Sequence, residues 1–499
     1  MTSFISFNSI KTVSASKPVA RLSATDIVFL KTEYHKMFDI SIASSARSRS
    51  VCDNVLQFSL FSGEFRDRLK NNISQNPTIG DMENVQTRGE KTLTLNSLIT
   101  GSESAVAYMA SEIEHICRTM NKRSPGSDGE REAAEYLAGI LRDECGCTNV
   151  RIESFDVHPD GFYGYLYFSA ILDVLCGTAF FFLPALSILS GILAFLLMLF
   201  QFILYHEVVD RFFPLRKGKN VTAVRPCEGE CHRRIFLNGH TDAAWEWPLN
   251  YYFGGFVFEA HSVGATAGVL YYVTLSICRL CGAGAWIRTM GWIGLIFFPF
   301  WIGLPFLRNK NRVVDGANDN LSGCTMGIAL LRAMEENGIL LKHTEIGVLL
   351  TGSEECGLRG AKAWSRIHRE EYRDAPTFIY TFDTIHDPLY LMTNERDLNG
   401  TVEADKAMSD LFLSSAEELG IPCKRGWVPP LGGGTDSAAF IQGGFRSIGI
   451  TGLNHRLEDY YHTRRDSYDN LNLQGLENCY RIMVRTIERI DEGNLDTGI

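Results

Sequence analysis

The sequence predicts an α/β protein with three layers, α/β/α, around a mixed, mostly parallel central sheet into which apolar helical hairpins are inserted. Short β-rich apolar runs alternate with helical patterns between and after two long apolar segments. Such alternation favours a largely parallel sheet covered on both faces. Titratable residues gather just after these runs, and open parallel sheets bind ligands at the carboxyl ends of their strands.

Composition narrows the function classes. The chain has 499 residues and a formal net charge of −10, so a nucleic-acid partner, which calls for a basic patch, is set aside. Thirteen cysteines form no dense, even framework of the kind that staples small secreted domains. Cys227 and Cys231 flank an expected hairpin turn beside His232. They make half a zinc knuckle with no second Cys/His pair, and read as structural. Cys278 and Cys281 lie in apolar sequence without a redox context. Residues 1–100 show no apolar core after a basic start, so weak structure and no secretory signal are expected there.

Residues 101–164, 205–261 and 308–499 are assigned to one catalytic domain. Residues 165–204 hold a single charged side chain, Asp173. They are long enough for two bilayer spans folded back near Pro184. Asp173, in mid-span, should face a helix partner or water rather than lipid. Residues 262–307 form a second hairpin, its distal arm carrying Pro299 and Pro305. A multi-pass membrane protein is expected, with the lipid bilayer as one partner.

"RRIFLNGHTD" is a strand ending at His240 and Asp242. "DGANDNLSGCTMGIALLRAMEENG" is a polar turn with Asp319, then a helix. Its Met326, Ala329, Leu330, Ala333 and Met334 share a face, and it stops at Gly338. "EIGVLLTGSEE" ends in Glu354 and Glu355, and "PTFIYTFDTIHD" ends at Asp383. "RSIGITGLNH" is followed by "YYHTRRDSYDNLN", which carries His462.

Each of these is ordinary turn chemistry when taken alone. Together His240, Asp319, Glu355, Asp383 and His462 supply two imidazoles and three carboxylates, a donor set suited to two zinc ions held close together. A bridging carboxylate is needed because two dications that close would repel. Asp242 can take the other imidazole N–H of His240 and fix its tautomer. Of the adjacent glutamates, one binds metal and the other stays free as a general base.

These motifs resemble a known family, the dizinc exopeptidases that include bacterial leucine aminopeptidases, glutamate carboxypeptidase and the metal-free transferrin receptor. "RSPGSDGEREAAEYLAGIL", "NGHTD", "GANDNLSG", "TGSEECGLRGAKAW", "FD", "GGGTDSAAF" and "YHTRRDSYDNL" resemble its motifs in order, from about Ile113 to Ile490 apart from the two apolar segments. The resemblance implies a zinc exopeptidase-like fold and two co-catalytic Zn2+. It makes Asp319 the bridge, pairs His240 with Asp383 on one ion, and pairs Glu355 with His462 on the other. Asp242 would orient His240, and Glu354 would be the base.

Two departures stand out. About eighty residues, many of them apolar, separate the His-x-Asp motif from Asp319, and the spans lie inside the catalytic domain. "AWEWPLNYYFGGF" (244–256), at the root of that insertion, should therefore reshape the substrate cleft. Within it Glu246 reads as a plain surface carboxylate, with contact to a substrate amine as the alternative. Asp436 reads as the cap of the helix that follows it, and otherwise as a border of the cleft.

The expected activity is removal of N-terminal residues from peptide substrates. A metal-bridged hydroxide attacks the carbonyl while Glu354 shuttles the proton. Carboxypeptidase, dipeptidase or glutaminyl cyclase chemistry on the same scaffold stays open. A non-enzymatic receptor predicts lost ligands, and none is lost. Arg211, Arg216, Lys217, Lys219, Arg308, Lys310 and Arg312 crowd the span ends on the catalytic side, whereas the distal turns carry only Arg279 and Arg288. That bias places the catalytic domain in the cytosol.

Overall fold

The computed structural model describes residues 94–454 and 458–495. Most of the segment expected to be weakly structured, residues 1–93, lies outside the described residues. Its end does not conform: α1 (Leu95–Thr100) is a helix with Leu95, Leu98 and Ile99 buried. Helices α2 (Ser102–Thr119) and α3 (Asp128–Asp143) follow. Ser127 caps α3 by accepting the Glu130 N–H.

One sheet organises the domain. Its strands are β1 (Asn149–Val157), β2 (Arg216–Arg225), β3 (Arg233–His240), β4 (Thr344–Thr351), β5 (Thr377–Ile385), β6 (Leu391–Asp397), β7 (Val402–Glu403), β8 (Lys424–Trp427) and β9 (Arg446–Gly452). They are ordered β1-β2-β4-β3-β5-β9-β6-β7, with β8 paired to β6. The centre, β4-β3-β5-β9, is parallel, while β1, β2 and β6, β7 join antiparallel at the edges. Parallel central strands are covered on both faces, which is why they read as near-continuous apolar runs. Ile235 and Leu237 of β3 face one core, and Phe236 faces the other. One expectation fails here. Cys227 and Cys231 do not flank a hairpin, because β4 lies between β2 and β3. Each thiol instead donates to a nearby carbonyl, that of Gly229 and that of Arg233.

The first hairpin, between β1 and β2, is α4 (Gly161–Ala179) and α5 (Pro184–Met198), the latter continuing as a wider turn to Ile203. Pro184 stands at the first turn of α5, where a missing N–H costs nothing. The second hairpin follows β3. A short α6 (Pro248–Phe253) leads into α7 (Gly255–Leu280). The return arm is broken into α8 (Trp286–Ile293) and α9 (Phe298–Gly303), joined by tighter turns. Pro299 and Pro305 each remove a helical donor, which accounts for the segmentation. All four arms are long and apolar enough to cross a membrane.

These arms pack into one bundle with its own core, including Leu166, Phe180, Tyr272 and Trp301. Gly191 lets α5 approach α7 closely, since a Cβ there would meet Val273 at 2.4 Å. Ser276 donates across to Ser187 at 2.8 Å. Phe182, Ile192, Phe256 and Ile296 are exposed on the outside, while Asp173 is buried within. An apolar exterior of this extent marks an interaction surface rather than a water-facing one.

The remaining helices cover the sheet. α10 (Ser322–Glu336) packs on β3 and β5, with Met326, Ala329, Leu330 and Met334 buried. α11 (Arg359–His368) and α13 (Asp436–Gln442) lie on the opposite face. α12 (Lys406–Glu418) and α14 (Leu473–Asp491) join α10 in the larger core. The three layers are complete.

Candidate metal centre

Because β3, β4, β5 and β9 run parallel, their carboxyl ends open on one side. His240 is the last residue of β3, Glu354 and Glu355 follow β4, Asp383 lies near the end of β5, and His462 follows β9. Asp319 comes from the turn before α10. Gly239 allows that turn in, since a Cβ there would meet the Cys324 backbone nitrogen at 2.5 Å. Ser353 (φ 56°) and His462 (φ 51°) both hold left-handed backbone. Such conformations cost of order 1–3 kcal/mol each and cluster at functional sites.

The side chains converge. His240 Nε2 is 3.1 Å from one oxygen of Asp319, and His462 Nε2 is 3.0 Å from the other. His462 Nε2 is also 3.3 Å from Glu355. His240, Asp319 and Glu355 offer donor atoms all within 4.8 Å of one another, and so do His240, Glu354 and Asp383. Both ring nitrogens of His240, Nδ1 of His462 and Oε1 of Glu355 are buried without a hydrogen-bond partner. Buried polar atoms are seldom left so. A nitrogen and oxygen donor set with orphaned atoms fits divalent metal, zinc above all.

Electrostatics agree. Burial pushes Glu354 and Glu355 well above the ordinary carboxylate range, opposed by His240 and reinforced by neighbouring acids. Burial also carries Asp383 up to about 7, with Asp319 adding to it. Burial alone would raise Asp319 too, but contacts with His240 and His462 hold it below its usual value. Crowded acids of this kind favour a cation among them.

Supporting residues fix the candidate ligands. Asp242 lies 3.4 Å from His240 Nδ1. It also accepts the N–H groups of Glu354 and Glu355, each at 3.0 Å, so one carboxylate ties the ends of β3 and β4 together. Asp466 accepts from the Asn318 backbone at 2.8 Å and the Asp319 backbone at 3.1 Å, holding the Asp319 turn. Glu130 accepts from Ser353 and from the Gly126 N–H, both at 2.8 Å, under the glutamate turn. The functional reading of the sequence did not single out Asp466 or Glu130, although both fall inside motifs quoted above.

Two expectations are corrected. Glu246 is not a surface carboxylate. It is fully buried and takes two hydrogen bonds from Arg464, at 2.5 and 2.7 Å. Asp436 does not cap α13. Thr435 has the extended backbone of a cap and accepts the Ser437 N–H, while Asp436 is buried and accepts from Thr351. The 244–256 segment does reach the site. The Trp247 N–H donates to the His462 carbonyl at 2.8 Å, its ring lies 4.3 Å from the imidazole, and Phe258 stacks behind it.

A buried carboxylate approached on both oxygens by imidazoles, with further acids around it, is suited to hold divalent metal. Residues 305–487 match Peptidase family M28. That match covers less than half of the chain, and it supports metallo-exopeptidase, the enzyme class the motifs implied. The stretch includes Asp319, Glu354, Glu355, Asp383 and His462. No curated protein matches the chain. Among solved structures it is similar to an aminopeptidase from Aneurinibacillus sp. strain AM-1 (13% identity, 79% of this chain and 96% of that one, TM-score 0.47). It is also similar to a zinc aminopeptidase from Bacillus subtilis (11%, 77% and 95%, 0.47). A third is a glutaminyl cyclase from Bacteroides thetaiotaomicron (13%, 77% and 97%, 0.44).

Proposed function

We propose that the protein is a membrane-held, zinc-dependent aminopeptidase with two co-catalytic zinc ions. One observation carries this reading: two imidazoles approach opposite oxygens of a single buried carboxylate, Asp319. Asp319 is assigned as the shared ligand, His240 and Asp383 as the rest of one set, and Glu355 and His462 as the rest of the other. When bound, the metal pair supplies Lewis acidity, polarising the peptide carbonyl and making water a competent nucleophile near neutral pH. Glu354 takes a proton from that water and returns it to the departing amine. Its raised affinity for protons suits the second half of that task. Asp242 holds the Glu354–Glu355 turn, and so sets where the proton acceptor stands.

The four apolar arms support a bilayer location, and the Lys/Arg bias near their catalytic ends supports a cytosolic active site. The activity is tested with a panel of aminoacyl-p-nitroanilides and N-blocked peptides, with and without chelator. Chelator-sensitive release from free-amine substrates alone is expected. Cleavage confined to N-blocked peptides would assign carboxypeptidase chemistry instead.

A further inference from the structure

The metal centre opens into a cavity of about 520 Å³ that runs between the hairpin helices. Phe162, Leu166, Ser169 and Asp173 of α4 line it, as do Phe258, Ala265 and Val269 of α7. These spacings each put one face of a helix along the cavity. Both faces span eleven residue steps, or roughly 16 Å at the helical rise. Ala194, Met198 and Phe202 of α5 add a third wall.

No single amino-acid side chain fills a space of that length. An extended peptide of about five residues would span it, but between the helices its backbone N–H groups would find few acceptors beyond the Glu259 carboxylate. Ser262 and Thr266 already donate to carbonyls of their own helix. The unpartnered Ser169 hydroxyl and Asp173 carboxylate oxygen lie toward the far end of the α4 face. Stripping water from backbone amides without replacement costs several kcal/mol per group, on the order of 2–7. A hydrocarbon chain meets no such cost. Phe195, Val263 and Leu270 line the cavity and are also 45%, 57% and 56% exposed. The cavity therefore has an edge on the outside of the bundle, where a bilayer would lie.

We propose that the substrate is an amide bearing a long linear alkyl chain, a lipid-modified amino acid or peptide, with the chain between α4, α5 and α7 and the carbonyl at the metal ligands. The proposal rests on the metal-dependent amide hydrolysis proposed above; a gain in the carbonyl-side series, whose amine is blocked, would keep that hydrolysis and replace the free-amine specificity. In the reaction the C–N bond breaks, water gives its OH to the carbonyl carbon, and its remaining proton passes through Glu354 to the amine. No other co-reactant is required.

The test uses the full chain in lipid nanodiscs and two amide series of increasing length. One carries the chain on the carbonyl side (acetyl- to lauroyl-leucine amides) and the other on the nitrogen side (leucyl methylamide to dodecylamide). Leucine p-nitroanilide is the short reference. In one series kcat/KM should rise roughly threefold to fourfold per methylene until the cavity is full. Val269→Trp, or the milder Ala265→Leu, should cut the ratio of long-chain to short-chain kcat/KM. A lauroyl hydroxamate with a terminal diazirine should label the inner wall, displaced by excess long-chain amide. A phosphatidylcholine of the same chain should label outward residues such as Phe182 and Phe256. Cleavage of leucine p-nitroanilide with no gain in either series would overturn the substrate class alone. Loss of all amide hydrolysis would overturn both readings. Inner-wall labelling by the phospholipid that the amide cannot displace would make the cavity a resident-lipid site.

Discussion

At the scale of single residues, adjacent Glu354 and Glu355 stand in different surroundings, as the roles proposed for them require. Glu355 approaches His462, whereas Glu354 is 3.8 Å from His240 and belongs with Asp383. Glu354→Gln is expected to retain metal while losing about a hundredfold or more in turnover, since it removes proton transfer alone. Asp319→Ala should lose metal, which elemental analysis of both variants would show. Away from the centre, His368 lies between Glu153, at 2.7 Å, and Glu371. Burial lowers its proton affinity, but the two carboxylates more than restore it, so its folded pKa exceeds 6.5. Burial opposes Arg151 and His368 at Glu371, yet these two hold its folded pKa below 4.5. The imidazolium contribution is full below pH 6.5 and fades as pH rises through the folded value. The carboxylate contribution is full above pH 4.5 and fades as pH falls. Thermal unfolding should therefore show the pair's greatest effect between these values, and His368→Gln should flatten the alkaline decline in Tm.

At the scale of elements, the 462–466 segment supplies both a candidate ligand, His462, and a brace for the turn that carries another, Asp319. Asp466 grips the Asn318 and Asp319 backbone from across the site. Carboxylates one step behind metal ligands are worth about 10–100-fold in metal affinity. Asp466→Asn should lose affinity in that range, measured by competition with a zinc chelator, with the fold retained. What the sequence could and could not reveal follows the same division. The central strands, α10 with its stop at Gly338, and the fold-back at Pro184 rest on local pattern and were legible. The hairpin expected at Cys227–Cys231 was not, because β4, the strand between β2 and β3, comes more than a hundred residues later. Glu246 was misread for a like reason, its partner Arg464 lying 218 residues on. The structure brings the seven candidate site residues together, and each lies at or just after a strand or turn that the sequence pattern marks. Asp466 and Glu130 act on backbone groups, and a carboxylate that grips a distant N–H leaves no spacing signal.

At the scale of the whole molecule, both hairpins leave from and return to the domain of the central sheet, so all the candidate ligands lie on one side of any bilayer the arms cross. Carbonate washing should leave the protein in the membrane pellet. Orientation is best read at Cys281, which is exposed in the distal turn between α7 and α8. Cys423 is a poor reporter, since burial pushes its thiol up to about 12. With the active site in the cytosol, a membrane-impermeant maleimide should modify Cys281 in intact cells and miss a Cys281→Ser variant. Labelling only after permeabilisation would reverse the orientation.

The second hairpin also divides His240 from Asp319 along the chain, and this bears on when the enzyme becomes active. A nascent chain that has made β3 owns one imidazole and no counterpart. The counterpart arrives only after about eighty further residues. Closing so long a loop costs chain entropy, and two helices that cross and recross a bilayer bring its ends together. On the membrane reading, assembly of the metal centre waits for insertion, and a chain stranded in the aqueous phase is a latent peptidase. Synthesis without membranes should then yield protein that fails to retain zinc, and adding vesicles during translation should restore it.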